Sequence, residues 1–312
     1  MTNSEPLVSI GLPTYNRAKS CRRAIESALA QEYSNLELII SDNASTDETE
    51  AICREFARRD RRVSYIRQKV NQGSTKNFEI VTKEATGEYF MWLSDDDWIE
   101  RTYVSHCVEQ LETHSDFCIV AGKTIFYSFD GTSQHTGEII HYTQSSPQKR
   151  VLSYYETVAM NESFYGVIRR SSITQIHSAL KKNVVGGDWL VFAALIFSGK
   201  AQTIESTTIH RTGGGASASI ENLARSLGVH GFQAKYFRFS ISWFAFQDIV
   251  AGSRVYRSLS LPLRWLFGLQ VCWTILRRHY ILPIFLPKVV RVLQIIAPRR
   301  FYEKLRNWHR KN

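Results

Sequence analysis

Short apolar runs alternate with helical patterns through the first 120 residues of the chain. Five runs have the length and composition of buried strands: residues 7–12, 36–41, 63–68, 88–94 and 116–121. The first is followed by an amphipathic helical pattern from about Ala18 to Ala30, and the second by a helix that begins behind the capping sequence STDE. This alternation predicts an α/β fold with a mostly parallel sheet and helices on both faces.

The pattern changes after Ala121. An Asp-Gly turn between strands, a helix near 148–160, a short strand and a further helix precede a long strand that runs into a glycine-rich loop. This half is predicted to be an antiparallel extension at one side of the sheet. Because no Pro-, Gly- or Ser-rich linker divides the halves, we predict one domain over residues 1–220, with a nucleotide-binding half (1–121) and an acceptor half (122–220).

Residues 221–312 are predicted to form a helical tail that is basic and amphipathic. Residues 251–312 carry 13 Lys and Arg against one acid, a net of +12 compared with +10 for the whole chain. The remaining residues therefore carry a small net negative charge. The two parts of the chain should meet different partners.

The longest uncharged apolar stretch of the tail, residues 265–276, has 12 residues. A transmembrane helix needs about 20. The stretch instead indicates a segment in the interface of an anionic membrane, with aromatic rings at headgroup level: Trp265, Trp273, Tyr280 and Trp308. The alternative is a set of helices packed on the domain with a solvated basic face. Interleaved aliphatic clusters disfavour a nucleic-acid partner.

Cysteine usage and the N-terminus predict a cytoplasmic location. The five cysteines are odd in number and contain no CxxC pair: Cys21, Cys53, Cys107, Cys118 and Cys272. This favours free thiols in a reducing compartment. The first residues also lack the charged and apolar regions of a signal peptide.

Polar motifs follow the predicted strands, where ligands of parallel sheets bind. They are PTYNR (13–17), DNASTD (42–47) and SDDD (94–97). One acid after a strand would serve as a helix cap, but three adjacent acids suggest hard oxygen ligands for Mg²⁺ or Mn²⁺. The first strand is followed neither by GxGxxG, as in a dinucleotide-dependent dehydrogenase, nor by the nucleophilic Asp of a HAD-like phosphatase.

Together with NQGSTKN (71–77) and GEYFMWLSDDDW (87–98), these motifs resemble, in order and spacing, the family 2 glycosyltransferases of bacterial surface-polysaccharide synthesis. The resemblance covers roughly residues 6–215. It implies the Rossmann-like GT-A fold, a nucleotide-sugar donor, a divalent metal (Mn²⁺ or Mg²⁺) and inversion at the anomeric carbon.

The resemblance also implies roles for single residues. The loop against the base and ribose would be Pro13, Thr14, Tyr15, Asn16 and Arg17. Asp42 would accept a hydrogen bond from the base, which favours a UDP-sugar. Asn77, with Asn71 and Gly73, would touch the donor or shape the backbone. Asp47 would contact the donor or cap a helix.

Ser94 occupies the position where many members of the family have the first aspartate of their metal motif. Two registers follow, either Asp95 with Asp97 or Asp96 with Asp97. Asp97 is common to both and is the first candidate metal ligand, with Asp96 the second. In the glycine-rich segment, His210 is a candidate third ligand and Arg211 a candidate diphosphate contact, or the segment is a mobile lid.

The resemblance further implies a catalytic base at the start of a helix in the second half. Asp188 fits this position, and its alternative is a simple N-cap. Glu162 and Glu205 have poorer contexts. The chain is therefore predicted to be an inverting, metal-dependent glycosyltransferase at the inner face of the cell membrane, acting on a lipid-linked or surface-polysaccharide precursor. The alternative is a degenerate adaptor of this fold that binds nucleic acid or membrane without transferase activity.

Overall fold

The computed structural model describes residues 5–128, 134–158, 161–213, 219–281 and residue 283. Within these residues, no helix combines the length and the apolar character needed to cross a membrane. The predicted Asp-Gly turn at 130–131, most of the glycine-rich loop and the basic segment 284–312 lie outside the described residues.

Ten strands of the described chain form one sheet. They are β1 (Val8–Thr14), β2 (Leu36–Asp42), β3 (Val63–Arg67), β4 (Tyr89–Trp92), β5 (Trp98–Ile99), β6 (Phe117–Tyr127), β7 (Gln134–Thr136), β8 (His141–Tyr142), β9 (Val167–Arg169) and β10 (Lys200–Thr212). The order is β3-β2-β1-β4-β9-β6-β10-β5, with β7 beside β6 and β8 beside β10. Strands β1 to β4 pair in parallel, as predicted.

Helices connect the strands and cover the sheet. They are α1 (Cys21–Leu29), α2 (Thr49–Arg59), α3 (Ser74–Glu84), α4 (Tyr103–Thr113), α5 (Pro147–Thr157), α6 (Arg170–Gln175), α7 (His177–Leu180), α8 (Gly187–Ser198), α9 (Ile220–Ser226), α10 (Phe232–Lys235), α11 (Phe237–Ala251) and α12 (Leu261–Leu276). Two 3₁₀ turns, Glu162–Tyr165 and Arg254–Ser258, and a π-helical turn, Arg277–Ile281, complete the described elements.

The second half differs from the predicted antiparallel extension. Strand β10 pairs with β6 in parallel along most of its length, because helices α5 to α8 lie between the two strands and return the chain to the starting edge. Only the short strands β5, β7, β8 and β9 pair antiparallel with their neighbours. The sheet as a whole is therefore mostly parallel in its long strands.

Strand β4 shows why its apolar run is continuous. Phe90 and Trp92 belong to the core on one face of the sheet, whereas Tyr89 and Met91 belong to the core on the other face. A strand buried on both faces needs apolar side chains at every position. This strand holds the three aspartates at the edge of the sheet.

The first part of the predicted tail packs on the domain. Side chains of α11 and α12 share one hydrophobic core with α5 and α8, among them Ile241, Phe267, Val271 and Ile275. Between them and the rest of the domain, Ala224 and Val229 form a smaller separate cluster with Val185. The described residues up to 281 are thus part of the same folded body.

Candidate functional site

The carboxyl ends of four long strands meet at one edge of the sheet. Strand β9 runs antiparallel to both β4 and β6, so β6 and its parallel neighbour β10 point the same way as β4. Residues at the end of β10 therefore lie at the same edge as those that follow β1, β2 and β4. This edge brings together the predicted motifs PTYNR, DNASTD and SDDD.

The loops after β1 and β2 are tied to each other by hydrogen bonds. The Asn16 amide donates to Ser45 Oγ at 2.9 Å, and Asn16 Oδ1 accepts from the Thr46 amide at 2.8 Å. Asn16 has a φ of 53°, a left-handed conformation that Asn tolerates better than most residues. Asp47 accepts from the amides of Ala18 and Thr49 at 3.1 and 3.0 Å, and these bonds lower its pKa against the opposing effect of burial. Asp47 therefore has an observed structural role.

Asp42 and Asn77 lie beneath the loops that follow β1 and β2. Asp42 is fully buried, and its oxygens accept from the Ser45 amide and the Tyr65 hydroxyl, both at 2.8 Å. Asn77 donates to the carbonyls of Thr14 and Ser41 at 3.2 and 2.9 Å and thereby joins the ends of β1 and β2. In these contacts both residues support the loops from below.

The three aspartates have different surroundings. Asp95 lies under the first loop, where it accepts from the Tyr15 amide at 3.3 Å and lies 3.4 Å from Arg17 Nε. Burial raises the pKa of Asp95 to about 7, and Asp96 adds to this effect. Tyr15 is 42% exposed and presents its ring at the mouth of the site. Asp95 therefore holds the PTYNR loop from within.

Asp97 is joined to the end of β10. One carboxylate oxygen accepts from Arg211 Nε at 3.2 Å, and the other accepts from the Thr212 amide at 3.0 Å. Burial raises the pKa of Asp97 to about 6, although Arg211 opposes the rise. The guanidinium of Arg211 lies 4.4 Å from the centre of the Tyr165 ring. A partly buried cation and a buried carboxylate thus meet where the first and second halves of the chain join.

Asp96 is the most accessible member of the triplet, with its side chain 21% exposed. The Ser94 hydroxyl donates to the Asp96 carboxylate at 2.6 Å. The serine that stands where many family members have an aspartate is therefore a hydrogen-bond partner of Asp96. The Asp96 carbonyl accepts from Arg23 at 3.1 Å and from Thr212 Oγ1 at 2.9 Å. The Asp96 carboxylate is therefore directed by a neighbour and remains open to a ligand.

His210 does not join the aspartates. Successive residues of a strand point to opposite faces, so the contact between Arg211 and Asp97 turns His210 away from them. Its ring stacks on Trp98 at 4.9 Å, and its Nδ1 lies 3.0 Å from the Tyr127 hydroxyl. Burial lowers the pKa of His210, against the effect of Glu100, and so favours the neutral imidazole. In this structure His210 contacts Trp98 and Tyr127 rather than Asp97, and its role as a third metal ligand stays a prediction.

Asp188 lies in the first turn of α8, as predicted, behind Gly186 with a φ of 82°. Its carboxylate accepts from Asn161 Nδ2 at 2.9 Å, and the same amide group donates to the Asp188 carbonyl at 3.0 Å. Burial raises its pKa, while Asn161 and the charge of Arg211 lower it. Arg211 therefore acts electrostatically on both Asp97 and Asp188.

Four residues of the site were not singled out from the sequence: Arg23, Thr212, Asn161 and Tyr165. Arg23 stacks on Trp98 with its guanidinium carbon 3.6 Å from the ring centre, and it reaches both Asp96 and Thr212. Its position in α1 is an ordinary polar helix position. No local signal marks a residue whose partners lie more than 70 positions away.

The carboxylate oxygens at this edge of the sheet fit Mg²⁺ or Mn²⁺ as part of its coordination shell. Within the described ranges, no group of three or more His, Cys, Asp or Glu side chains is arranged to hold a metal ion. These cations, however, commonly take one or two protein carboxylates and complete their shell with phosphate oxygens and water. Asp96 and Asp97 supply hard oxygen ligands of this kind.

A family model for glycosyl transferase family 2 matches residues 9–176 of the chain, which include β2 to β9 and all of β1 except Val8. A curated relative, the putative colanic acid biosynthesis glycosyl transferase WcaA of Escherichia coli, is 33% identical over 171 residues. That match covers 52% of this chain and 57% of the relative. Matches to the first curated relatives cover between 21% and 57% of their length.

Two solved structures share the fold. TarS of S. aureus superposes with a TM-score of 0.61 at 15% identity, covering 88% of this chain and 71% of that one. The same protein was also solved with UDP-GlcNAc. The mannosyltransferase PcManGT of Pyrobaculum calidifontis, solved with GDP-Man and Mn²⁺, has a TM-score of 0.51 at 15% identity and covers 89% of this chain and 88% of that one. The sheet with its flanking helices is therefore the GT-A fold.

Proposed function

The chain belongs to glycosyltransferase family 2, and from this premise we propose that it moves a sugar from a nucleoside-diphosphate donor, favouring UDP, to a lipid-linked or surface-polysaccharide precursor with inversion of the anomeric carbon. The observation that carries the proposal is the junction of Asp95, Asp96 and Asp97 with the PTYNR loop on one side and Arg211 on the other.

In this proposal the donor lies along the loop edge of the sheet. Tyr15 and Arg17 flank the base and ribose, because both are partly exposed beside the buried Asp95. Pro13 and Thr14 close β1 beneath them, and Asp42 and Asn77 keep the loops in place. Arg211 neutralises Asp97 without ligand and can turn toward the diphosphate when donor arrives. The relatives solved with UDP-GlcNAc and GDP-Man support a nucleotide sugar as the ligand class.

A bound Mg²⁺ or Mn²⁺ would offset the charge of the departing diphosphate. Asp97 and Asp96 would hold it, with Asp96 presenting the more accessible carboxylate. Both oxygens of Asp97 already accept hydrogen bonds, so binding a cation there involves rearrangement of the contact with Arg211. The presence of Mn²⁺ in the PcManGT structure supports this assignment.

Asp188 would remove the proton of the acceptor hydroxyl as that oxygen attacks the anomeric carbon. Burial raises the pKa of Asp188, which makes its carboxylate a stronger base than an exposed aspartate. Asn161 donates to one oxygen of Asp188, and in this proposal the carboxylate accepts the proton on its other oxygen. A single displacement of this kind forms the new glycosidic bond on the face opposite the departing diphosphate and therefore inverts the configuration.

The acceptor would be reached at the cytoplasmic face of the membrane. Polyprenyl-diphosphate carriers lie in the membrane plane and are anionic, whereas the C-terminal fifth of this chain is strongly basic. The similarity to WcaA, named for colanic acid biosynthesis, supports a surface polysaccharide as the product class.

The proposal is tested by incubating the full chain with UDP-sugars, a membrane lipid extract as acceptor and Mn²⁺, and measuring UDP release. We expect release that depends on acceptor and metal, and a product of inverted anomeric configuration by NMR. A retained configuration would contradict the mechanism. Absence of release with every UDP-, GDP- and dTDP-sugar would favour the adaptor alternative.

A further inference from the structure

Exposed apolar side chains are concentrated in one part of the molecule. Of the 14 large hydrophobic side chains that are exposed in the described chain, ten lie between Phe232 and Trp273. Isolated exposed hydrophobic residues are normal, but contiguous patches mark interaction sites. This concentration therefore calls for a partner.

The first stripe lies along α10 and α11. Phe232 lies on α10, Tyr236 lies between the two helices, and Phe239 and Trp243 lie one turn apart on α11. Their exposed fractions range from 40% to 59%. The Phe232 ring lies 5.1 Å from Tyr236 and 5.8 Å from Phe239, so the aromatic surface is continuous.

The second stripe lies along α12. Trp265, Leu266, Leu269 and Trp273 are each 49% to 59% exposed. The opposite side of the same helix is buried in the protein core, through residues such as Val271. A helix that is apolar on all sides belongs in an apolar environment on all sides. The protein provides that environment on only one side of α12.

Phe246 joins the two stripes. Its ring lies 5.7 Å from Trp243 on α11 and 5.0 Å from Trp265 on α12. Gly268 allows this approach, since a Cβ there would lie 2.7 Å from the Phe246 ring. The two stripes thus form a single surface, which we call the docking face: Phe239, Trp243, Trp265, Leu266, Leu269 and Trp273.

Within the chain segment that forms the docking face the exposed charges have one sign, whereas Glu156 on the neighbouring α5 pairs with Arg277 at 2.8 Å. Among the described residues from 232 to 281, the single acid is Asp248, which is 2% exposed and therefore does not contribute to the surface. Lys235, Arg254 and Arg257 are exposed, and the last two lie in the turn that joins α11 to α12. An apolar, tryptophan-rich face with basic flanks complements the interface of an anionic bilayer.

We propose that the docking face inserts into the headgroup region of an anionic lipid bilayer. Two copies of this chain would instead bring their basic flanks together, and like charges would oppose that association. Tryptophan is favoured at the bilayer interface because its ring is apolar and its N–H keeps a polar partner. The docking face thus assigns membrane binding to folded helices that precede residue 284.

The docking face is connected to the candidate catalytic base. Phe237 at the start of α11 lies 6.4 Å, ring to ring, from Trp189, which directly follows Asp188. Ile241 also lies beside Gly186, the residue before α8, where a Cβ added to the glycine would meet the Ile241 side chain at ordinary packing distance. Insertion would hold Asp188 beside the bilayer surface. This second part rests on the proposed function, whereas docking itself does not.

The test measures cosedimentation of the full chain with vesicles of phosphatidylcholine alone and of phosphatidylcholine with phosphatidylglycerol. We expect binding to the anionic vesicles, weakened about tenfold or more by Trp243→Gln with Leu269→Gln, since two apolar side chains lose their burial. Arg254→Gln with Arg257→Gln should reduce binding to anionic vesicles about fivefold per charge. Val70→Gln, which removes an exposed apolar side chain elsewhere, should leave binding unchanged.

Oxidative footprinting of the full chain distinguishes the other occupants. We expect Trp243 and Trp273 to be modified without vesicles and protected with them. Protection without vesicles would overturn the proposal, because it would mean that residues 284–312 or a second copy cover the face. Equal binding of anionic vesicles by the wild type and by the variant with Trp243→Gln and Leu269→Gln would overturn the proposal as well. Nucleotide binding, measured on the same variants, should not change, so a failure of docking is distinguishable from a failure of the proposed function.

Discussion

Two carboxylates, Asp95 and Asp97, are buried at the sheet edge although each would be better solvated at the surface. Arg17 and Arg211 lie beside them and offset part of the cost of burial. Burial still dominates, because the pKa values of Asp95 and Asp97 rise to about 7 and about 6. Such a residual cost is characteristic of a site prepared for a charged ligand.

Asp188→Asn removes the proposed base and nearly preserves the shape of the side chain. We expect kcat to fall about a hundredfold or more, the usual range for loss of a general base. Nucleotide binding should be retained. The matched control is Glu205→Gln, an exposed acid on β10 that should leave kcat unchanged. Activity of Asp188→Asn within about twofold of wild type would exclude this base.

Asn161→Ala tests the positioning of Asp188. The amide group of Asn161 lowers the pKa of Asp188, so its loss should raise that pKa further. We expect a lower kcat and a shift of the acidic limb of the kcat profile to higher pH, because a larger fraction of the base is then protonated. Nucleotide affinity should stay the same. An unshifted pH profile would argue against contact between the two side chains during turnover.

At the scale of elements, the pairing of α11 with α12 depends on Gly268. Gly268→Ala gains about 1 kcal/mol of helix propensity, but the added Cβ would lie 2.7 Å from Phe246. Overpacking costs about 1 to 3 kcal/mol, and neighbouring tryptophans on both sides limit the movement of Phe246. We therefore expect the free energy of unfolding in urea to fall by about 1 kcal/mol. Phe246→Leu in the same chain should reduce the loss, and an increase in stability on Gly268→Ala alone would contradict this packing.

Asp248 makes the stability of α11 depend on pH. Burial raises its pKa from 3.8 to about 6, against the effects of Ser253 and Lys182. Between these values the unfolded chain loses a proton that the folded chain keeps, so stability falls as pH rises from about 4 to about 6. With Asp248→Asn, the free energy of unfolding should no longer lose the contribution of about 3 kcal/mol that this carboxylate causes as the pH rises. Urea unfolding of both proteins at several pH values measures it, and parallel pH profiles would refute the assignment.

The strands of the first half could be predicted from the sequence, because β1, β2 and β4 are mostly apolar and polar motifs follow at their ends. In the second half the order of the main helices and strands could be predicted, but the pairing of its strands could not. Its strands alternate with helices at irregular distances, and the parallel pairing of β10 with β6 depends on a crossover of four helices. The sequence likewise did not indicate which of His210 and Arg211 meets Asp97, since only the register of β10 decides this.

At the scale of the whole molecule, the acidic candidate site and the exposed apolar side chains lie in different parts of the chain. The aspartates and their loops lie at the carboxyl edge of the sheet, and the aromatic stripes lie on helices that pack against α8. The location of each could be predicted in outline from the sequence. The exposure of α11 could not, because its buried and exposed residues are both apolar and periodicity cannot tell them apart.

The central claim is that the three aspartates form a metal-dependent nucleotide-sugar site. Calorimetric titration of UDP, GDP and dTDP into the full chain, with and without Mn²⁺, tests it most directly, with Asp97→Asn as the variant and Glu205→Gln as the control. We predict that one nucleotide, UDP first among them, binds only with Mn²⁺, and that Asp97→Asn abolishes binding while the protein still unfolds cooperatively. Absence of binding by wild type under both conditions, or equal Mn²⁺-dependent binding by the variant, would contradict the account.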